Sequence, residues 1–438
     1  MISNNNKKLA QWAMDYAQTN GCQAARVRIY SGTKSEFEVR NMKIDKLQQA
    51  SENSMTIHLF VDGRYGSFST NRIDKNELEK YISNSIDSIK FLAEDKARML
   101  PDKSLYYNGN DDLQLLDAKF DSIESDQKVE LAMQTCAEIM DKNSRIISAN
   151  GTYRDNQHFS YIIASNGFEG ETATTSFNLG ASVSIKGDGD ERPESSWYDA
   201  SLFYDDLIKE GIGTKSLERV MRKLGQKKTN SGKYAMLVDS MVVGNVIRPI
   251  ISALYGSAIQ QKNSFLLNKL NEKVLGNNIT LIDDPHLPKT SGARFFDSEG
   301  IATKKQPIFE NGVLKTYFID TYYGNKLEIE PTIDSPSILT MQLGNKNIDQ
   351  LIETIEKGIW VTGFNGGNSN SSTGDFSFGI EGFLIENGQL VQPVNEMNIT
   401  GNLLTLWNNL KEVGNDPFKP ARWKIPSLLF DGVDFSGL

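Results

Sequence analysis

The sequence predicts an α+β fold. Three observations predict it. An amphipathic helix opens the chain, period-two alternation dominates the segments after it, and residues 231–438 are strand-dense with one helical stretch. The opening helix runs from about Lys7 to Gln18, with Leu9, Trp12, Ala13, Tyr16 and Ala17 on one face and Asn20-Gly21 as its stop. Short strands come next: Ala25, Val27 and Ile29 alternate with polar residues, as do Phe37 and Val39. Met55 to Val61 and Tyr65 to Thr70 form a hairpin closed by Asp62-Gly63, and a helix from Lys75 to Phe91 completes a small α+β unit, residues 1–110.

Ser104 to Leu116 reads as a polar linker. A helix from Asp126 to Met140 buries Val129, Ala132, Cys136, Ile139 and Met140. Strands are expected at Ile146 to Tyr153, Phe159 to Ala164 and Glu169 to Ile185, with Ser165-Asn166-Gly167 turning between the last two. Lys186 to Glu194 is an acidic loop, Lys215 to Leu224 a helix and Gln226 to Gly232 a second linker. Residues 111–230 thus make a central α+β unit. In residues 231–438 a helix spans Val242 to Ile259. Phe309 to Lys315 and Ile385 to Val391 each hold an Asn-Gly pair flanked by apolar alternation, the mark of a tight type I′ hairpin. Gly363 to Asp375 is a loop of small residues.

At 438 residues, 39% hydrophobic and 24% charged, the chain has an ordinary globular composition with ample material for a core. A net charge of −9 with no basic stripe excludes a stable grip on nucleic acid or an anionic membrane. No run approaches a membrane span. Cys22 and Cys136 are too few for a disulfide framework and read as small buried residues. Ser3 to Asn6 are polar and the next helix is amphipathic, so no secretory leader is expected and the protein is expected to be cytoplasmic.

Tests for chemistry mostly fail. Catalytic zinc needs about three ligands from His, Cys, Asp or Glu. The three histidines, His58, His158 and His286, are not paired at helical spacing. Asp283-Asp284-Pro285-His286 reads as a turn around a proline. Asp188 to Glu194 lacks the alternate oxygen ligands of a calcium loop. Gly211 to Ser216 lacks the Gly-Lys of a phosphate loop and reads as a helix start capped by Thr214 or Ser216. No G-x-S-x-G elbow exists. The one local feature with binding character is the Gly363–Asp375 loop. Its glycines allow close backbone approach, and Asn365, Gly366, Gly367, Asn368, Thr373, Gly374 and Asp375 are the candidate cleft residues.

The C-terminal half carries a run of motifs in order: Lys262 to Leu267, Asp284-Pro285-His286-Leu287, Phe296-Asp297-Ser298-Glu299-Gly300, Asn311 to Leu314, Thr373 to Ser377, Phe383 to Gly388, Ile399 to Leu403 and Val413 to Asp416. Together these resemble the TldD/PmbA family, and within it the PmbA (TldE) branch. The resemblance implies an N-terminal α+β region beside a C-terminal, strand-rich, barrel-like region in a dimer around an inner cleft. It also implies a peptidase system whose catalytic branch holds zinc with HExxxH and a cysteine near its C-terminus. Here Ser240, Met241 and Asn245 stand where the first His, the Glu and the second His would be, and Ala421 to Pro426 holds no cysteine. Ser and Asn are poor zinc ligands, and Met is no base. The resemblance therefore implies no metal and no catalytic residue in this chain, with zinc only in a partner. The expected role is a non-catalytic subunit that pairs with a TldD-like, HExxxH-bearing chain and lines a cleft for unfolded peptide. The alternative is a stand-alone homodimeric peptide-binding or regulatory protein.

Overall fold

A computed structural model describes residues 1–438. The first half is built on one antiparallel sheet. Helix α1 (Asn4–Thr19) precedes strands β1 (Ala24–Arg40), β2 (Lys43–Val61) and β3 (Arg64–Thr70), then α2 (Lys75–Ile89). After the linker come α3 (Ser125–Ala137), β4 (Ile146–Ala164), β5 (Glu169–Ile185), β6 (Glu194–Ser201) and α4 (Ile212–Met221). The strand order is β3-β2-β1-β4-β5-β6, so strands from either side of residue 110 share one sheet.

Alternation gives this sheet two faces. Odd-numbered residues of β1, β4 and β5 point at the helices. Ala25, Val27, Ile29 and Ile163 pack under α1 and α2, while Phe37, Val39, Ala149, Tyr153 and Phe177 pack under α3 and α4. Between these two apolar clusters lies a buried polar band, where Lys128 Nζ of α3 meets Asp155 Oδ2 of β4 at 2.7 Å. The short strands expected at Ala25–Ile29 and Phe37–Val39 are one continuous strand. So are those expected at Ile146–Tyr153 and Phe159–Ala164. The apolar alternation lapses at the polar band, but the backbone ladder does not.

Helix α4 starts at Ile212, and neither Thr214 nor Ser216 caps it. Gly211 is the N-cap, at φ +79, and the carboxylate of Glu138 accepts from the Gly211, Gly213 and Thr214 amides at 2.7, 2.6 and 3.1 Å. An anion from a neighbouring helix satisfies the exposed donors of this one. Cys22 and Cys136 are both buried and unbridged.

The second half is a closed barrel with additions. Its elements are β7 (Gly232–Val238), α5 (Gly244–Ser252), α6 (Gly256–Gln260), β8 (Leu281–Asp283), β9 (Gln306–Glu310), β10 (Val313–Leu314), α7 (Thr321–Leu327), β11 (Leu339–Met341), α8 (Ile348–Glu353), β12 (Lys357–Ser369), β13 (Asp375–Glu386), β14 (Gln389–Asn402), α9 (Leu403–Asn408), β15 (Leu410–Val413) and β16 (Leu428–Ser436). The order β14-β13-β12-β7-β16 closes because β14 also pairs with β16, giving five strands without a free edge. Met236, Val238, Ile359, Ile380 and Phe430 fill it together with Val246 and Ile250 of α5. Both Asn-Gly pairs turn as expected, with positive φ at Asn311 and Gly312 and at Asn387 and Gly388.

The single helix expected over Val242–Ile259 is two helices. Its backbone is diverted at Leu254 to Gly256, where Phe318 donates to Leu254 O and accepts from the Gly256 amide. A four-stranded sheet, β10-β9-β8-β11, lies beside the barrel. No helix is long and apolar enough to cross a membrane.

Candidate functional site

Even-numbered residues of β1, β4 and β5 make the uncovered face of the first sheet, and this face is polar: Tyr30, His158, Ser160, Thr172, Thr174, Ser182 and Ser184 lie along it. The barrel half stands over it and leaves two openings. One, of about 630 Å³, lies where α4 and the sheet meet the segment after β7. The other, of about 660 Å³, lies towards Arg28 and Phe296.

The first opening contains the segment where the resemblance places the zinc motif of the catalytic branch. Met241 and Val242 line it, facing Arg219 of α4, Lys223 just beyond that helix, and Thr362 and Glu381 of the barrel. Lys223 Nζ and Glu381 Oε1 are 2.6 Å apart across the seam, which ties the turn after α4 to β13. Ser240 and Met241 lie in a turn before α5, and only Asn245 is helical, so the three positions do not share a helix face.

The backbone amides of Ser240 and Met241 and the side chain of Asn245 each have a partner. The Ser240 amide donates to Ser427 Oγ (3.1 Å), which donates to Asp416 Oδ2 (2.8 Å). The Met241 amide donates to Asp239 Oδ1, and Asn245 Nδ2 donates to Val242 O, both at 2.9 Å. Burial pushes the Asp239 carboxyl above its ordinary value. Nowhere do three His, Cys, Asp or Glu side chains converge as a metal site requires. The residues present do not fit a zinc ion.

The Gly363–Asp375 segment is not a loop. Strand β12 runs through Ser369 and β13 begins at Asp375. The ladder shifts register between Phe364 and Gly367, where Gly366 and Gly367 have φ of +97 and +107. Glycine composition read as a loop is therefore a bulged hairpin. Its base, Thr362 and Glu381, lines the first opening. Asn365, Gly366, Gly367, Asn368, Thr373 and Asp375 run on into an exposed tip and line neither opening, while Gly374 is buried in the turn. The tip is ordered by its own bonds. Thr373 Oγ1 and Asn402 Nδ2 donate to the two oxygens of Asp375 at 2.7 and 3.0 Å. Together, with the Asn402 bond the stronger influence, they hold that carboxyl below its usual range.

The histidines are dispersed. His286 Nε2 meets Thr303 Oγ1 at 3.1 Å, and His158 stacks on Tyr30 at 6.0 Å. His58 Nδ1 lies 2.7 Å from the Tyr65 hydroxyl. Burial, helped by the Arg26 and Arg28 guanidinium groups, pushes His58 down to about 3. It stays neutral when folded but takes a proton near 6.5 when unfolded. The stability it contributes is full above that pH and is lost as pH falls towards 3, at ~1.4 kcal/mol per pH unit. The His58→Gln variant should lose urea-unfolding free energy less steeply than wild type below about pH 6.5. Equal slopes would contradict the assignment.

Chemistry-bearing residues that the sequence did not single out are Arg28, Arg219, Lys223, Arg294, Glu381 and Arg422, all at the seam. Arg219 and Lys223 belong to a basic run, Arg219 to Lys228, that is visible in the sequence.

A five-stranded barrel facing the polar side of a one-faced sheet defines the class: a two-part α+β scaffold with its cleft at the seam. The chain belongs to the PmbA/TldD metallopeptidase family. Profiles for PmbA/TldA metallopeptidase domain 1, central domain and C-terminal domain match residues 25–89, 118–224 and 231–437. A crystal structure from Bacteroides thetaiotaomicron, of a protein that bears a DNA gyrase modulator name, is 60% identical over all of both chains, with a TM-score of 0.98. The Metalloprotease PmbA of Escherichia coli O157:H7 is 24% identical over 417 residues, 94% of this chain and 92% of its own. TldE from Thermococcus kodakarensis shares the fold at a TM-score of 0.86 and 19% identity, over 98% of this chain and all of its own.

Proposed function

We propose that this chain is the non-catalytic, PmbA/TldE-like subunit of a TldD-type metallopeptidase system that trims or degrades unfolded peptides. The observation that carries this reading is the segment Asp239–Asn245. It borders a polar cleft yet holds no zinc ligand at Ser240, Met241 or Asn245, and no cluster elsewhere replaces them. Zinc and the general base belong to an HExxxH-bearing partner. This chain supplies a wall of the substrate cleft from the seam between sheet and barrel.

Peptide is held by strand pairing. A free edge exists for it, because β3 pairs only with Met55–Val61 and leaves Lys43–Ser54 of β2 uncovered on that side. The test is elemental analysis of the purified chain together with an unfolded-peptide assay, with and without chelator. Zinc far below one per chain and no turnover are expected, with chelator-sensitive turnover on adding an HExxxH-bearing TldD-type subunit. Stoichiometric zinc and chelator-sensitive turnover by this chain alone would overturn the reading.

A further inference from the structure

The second opening has a chemistry to which the reading above gives no part. Its volume of about 660 Å³ is that of a small-ligand site. Three guanidinium groups line it: Arg28 from the sheet face, Arg294 and Arg422 from the barrel half. They are anchored mainly by neutral acceptors. Arg28 Nη2 donates to Ser298 O at 3.1 Å, and Arg422 donates through Nε to Ser337 O (2.6 Å) and through Nη2 to Pro336 O (2.9 Å). Arg294 donates through Nε to Ser337 Oγ at 2.9 Å and pairs with Asp334 at 3.2 Å. In all three, Nη1 has no protein partner. Gly292, at φ +91, makes room for Arg422, since a Cβ there would sit 2.5 Å from its Nε.

The acidic groups of the lining are held by other partners or lie exposed. Glu171 is bound by Lys7 and by the Ile2 amide. Asp111 and Asp112 lie exposed on the linker. Asp297 accepts from the Glu299, Ile301 and Asp334 amides, and burial, reinforced by the Asp334 and Glu299 carboxylates, raises it to about 7. Around the cations stand neutral groups, Tyr30, Ser160 and Thr174 on the sheet and Phe295 and Phe296 opposite. A guanidinium with an unused edge matches a carboxylate in plane and charge.

We propose that this opening is a carboxylate-binding site that anchors the free α-carboxylate at the C-terminal end of an extended peptide. The assignment rests on the proposed peptide-binding role of the chain. An acidic side chain offers the same group, so the experiment separates the two sources.

One unstructured peptide, labelled at its N-terminus, is prepared as the free acid, as the C-terminal amide, and as an amide whose last residue is Glu. Binding to the full-length chain is followed by fluorescence anisotropy. The free acid should bind about tenfold or more tighter than the amide, the worth of charge-assisted hydrogen bonds. The Glu-ended amide should bind like the plain amide. In Arg28→Gln the advantage of the free acid should fall to about twofold or less, with the Kd of the amide unmoved. Arg28→Lys, which keeps the charge but loses the fork, should recover only part of it.

Equal binding of acid and amide overturns the carboxylate site and leaves the peptide-binding role standing. Tight binding of the Glu-ended amide overturns the α-carboxylate assignment. Failure of every peptide to bind overturns both. The acid-to-amide ratio of wild type needs no variant, so a misfolded Arg28→Gln does not rescue the proposal.

Discussion

Replacing Lys128 with Met should cost ~3–5 kcal/mol of unfolding free energy, the typical loss when one partner of a buried ion pair is removed. Lys128 is 5% exposed and Asp155 3%. The ammonium lies 2.7 Å from Asp155 Oδ2 and 3.4 Å from Ser35 Oγ, and it sits over the Phe120 ring. Without it the carboxylate keeps one bond, from the Tyr153 hydroxyl at 3.1 Å, while its Oδ1 already has no partner. A buried carboxylate in that position is held by little else. The Lys128→Met/Asp155→Leu double variant should recover most of the loss, because an apolar pair needs no solvation. Urea denaturation of the two single variants and the double variant measures this. A loss below about 1 kcal/mol in Lys128→Met would mean that the pair is solvated, contrary to its burial.

The same pair explains what was legible in the sequence and what was not. Helix α1, the Asp62-Gly63 turn and both Asn-Gly turns are local events, readable because capping and left-handed turn positions depend on a few neighbouring residues. Strands β1 and β4 were readable only in pieces. Ser35 and Asp155 sit on the helix-facing side where alternation calls for apolar residues, and their reason is a lysine on another element. Capping of α4 by Glu138 and the break after α5 at Phe318 are likewise long-range.

The site divides in the same way. That Ser240, Met241 and Asn245 are poor zinc ligands is a matter of residue type and is visible locally. That Arg28, Arg294 and Arg422 share one opening is visible only after the chain has folded, since nothing in their sequence neighbourhoods distinguishes them from surface arginines. The Gly363–Asp375 segment misled because glycines with positive φ serve a strand bulge as well as a loop.

Phe296→Ala should loosen the whole seam, at a cost of ~3–5 kcal/mol for a large aromatic taken from a packed site. Two aromatic rings interlock there with two glycines from opposite halves. Phe296, from the barrel half, packs on Gly170 of the sheet, where a Cβ would lie 2.7 Å from its ring. Phe168, from the sheet, packs on Gly300, where a Cβ would lie 2.8 Å away. The two rings meet edge to face at 5.2 Å. The linker is drawn into the same cluster, with Tyr107 stacked on Phe295 at 5.0 Å and the Tyr106 hydroxyl donating to Asn166 Oδ1 at 2.8 Å. Truncating Phe296 empties the centre of this clasp and leaves the far end of the cleft to the Lys223–Glu381 pair, Arg222 over the Trp360 and Phe383 rings, and Phe418 against Trp197 and Tyr198. Calorimetry should then show the sheet half melting ahead of the barrel half, and limited proteolysis should cut faster between Ser104 and Leu116. Both halves melting together, with the linker no more accessible than in wild type, would show that contacts elsewhere along the seam hold the cleft.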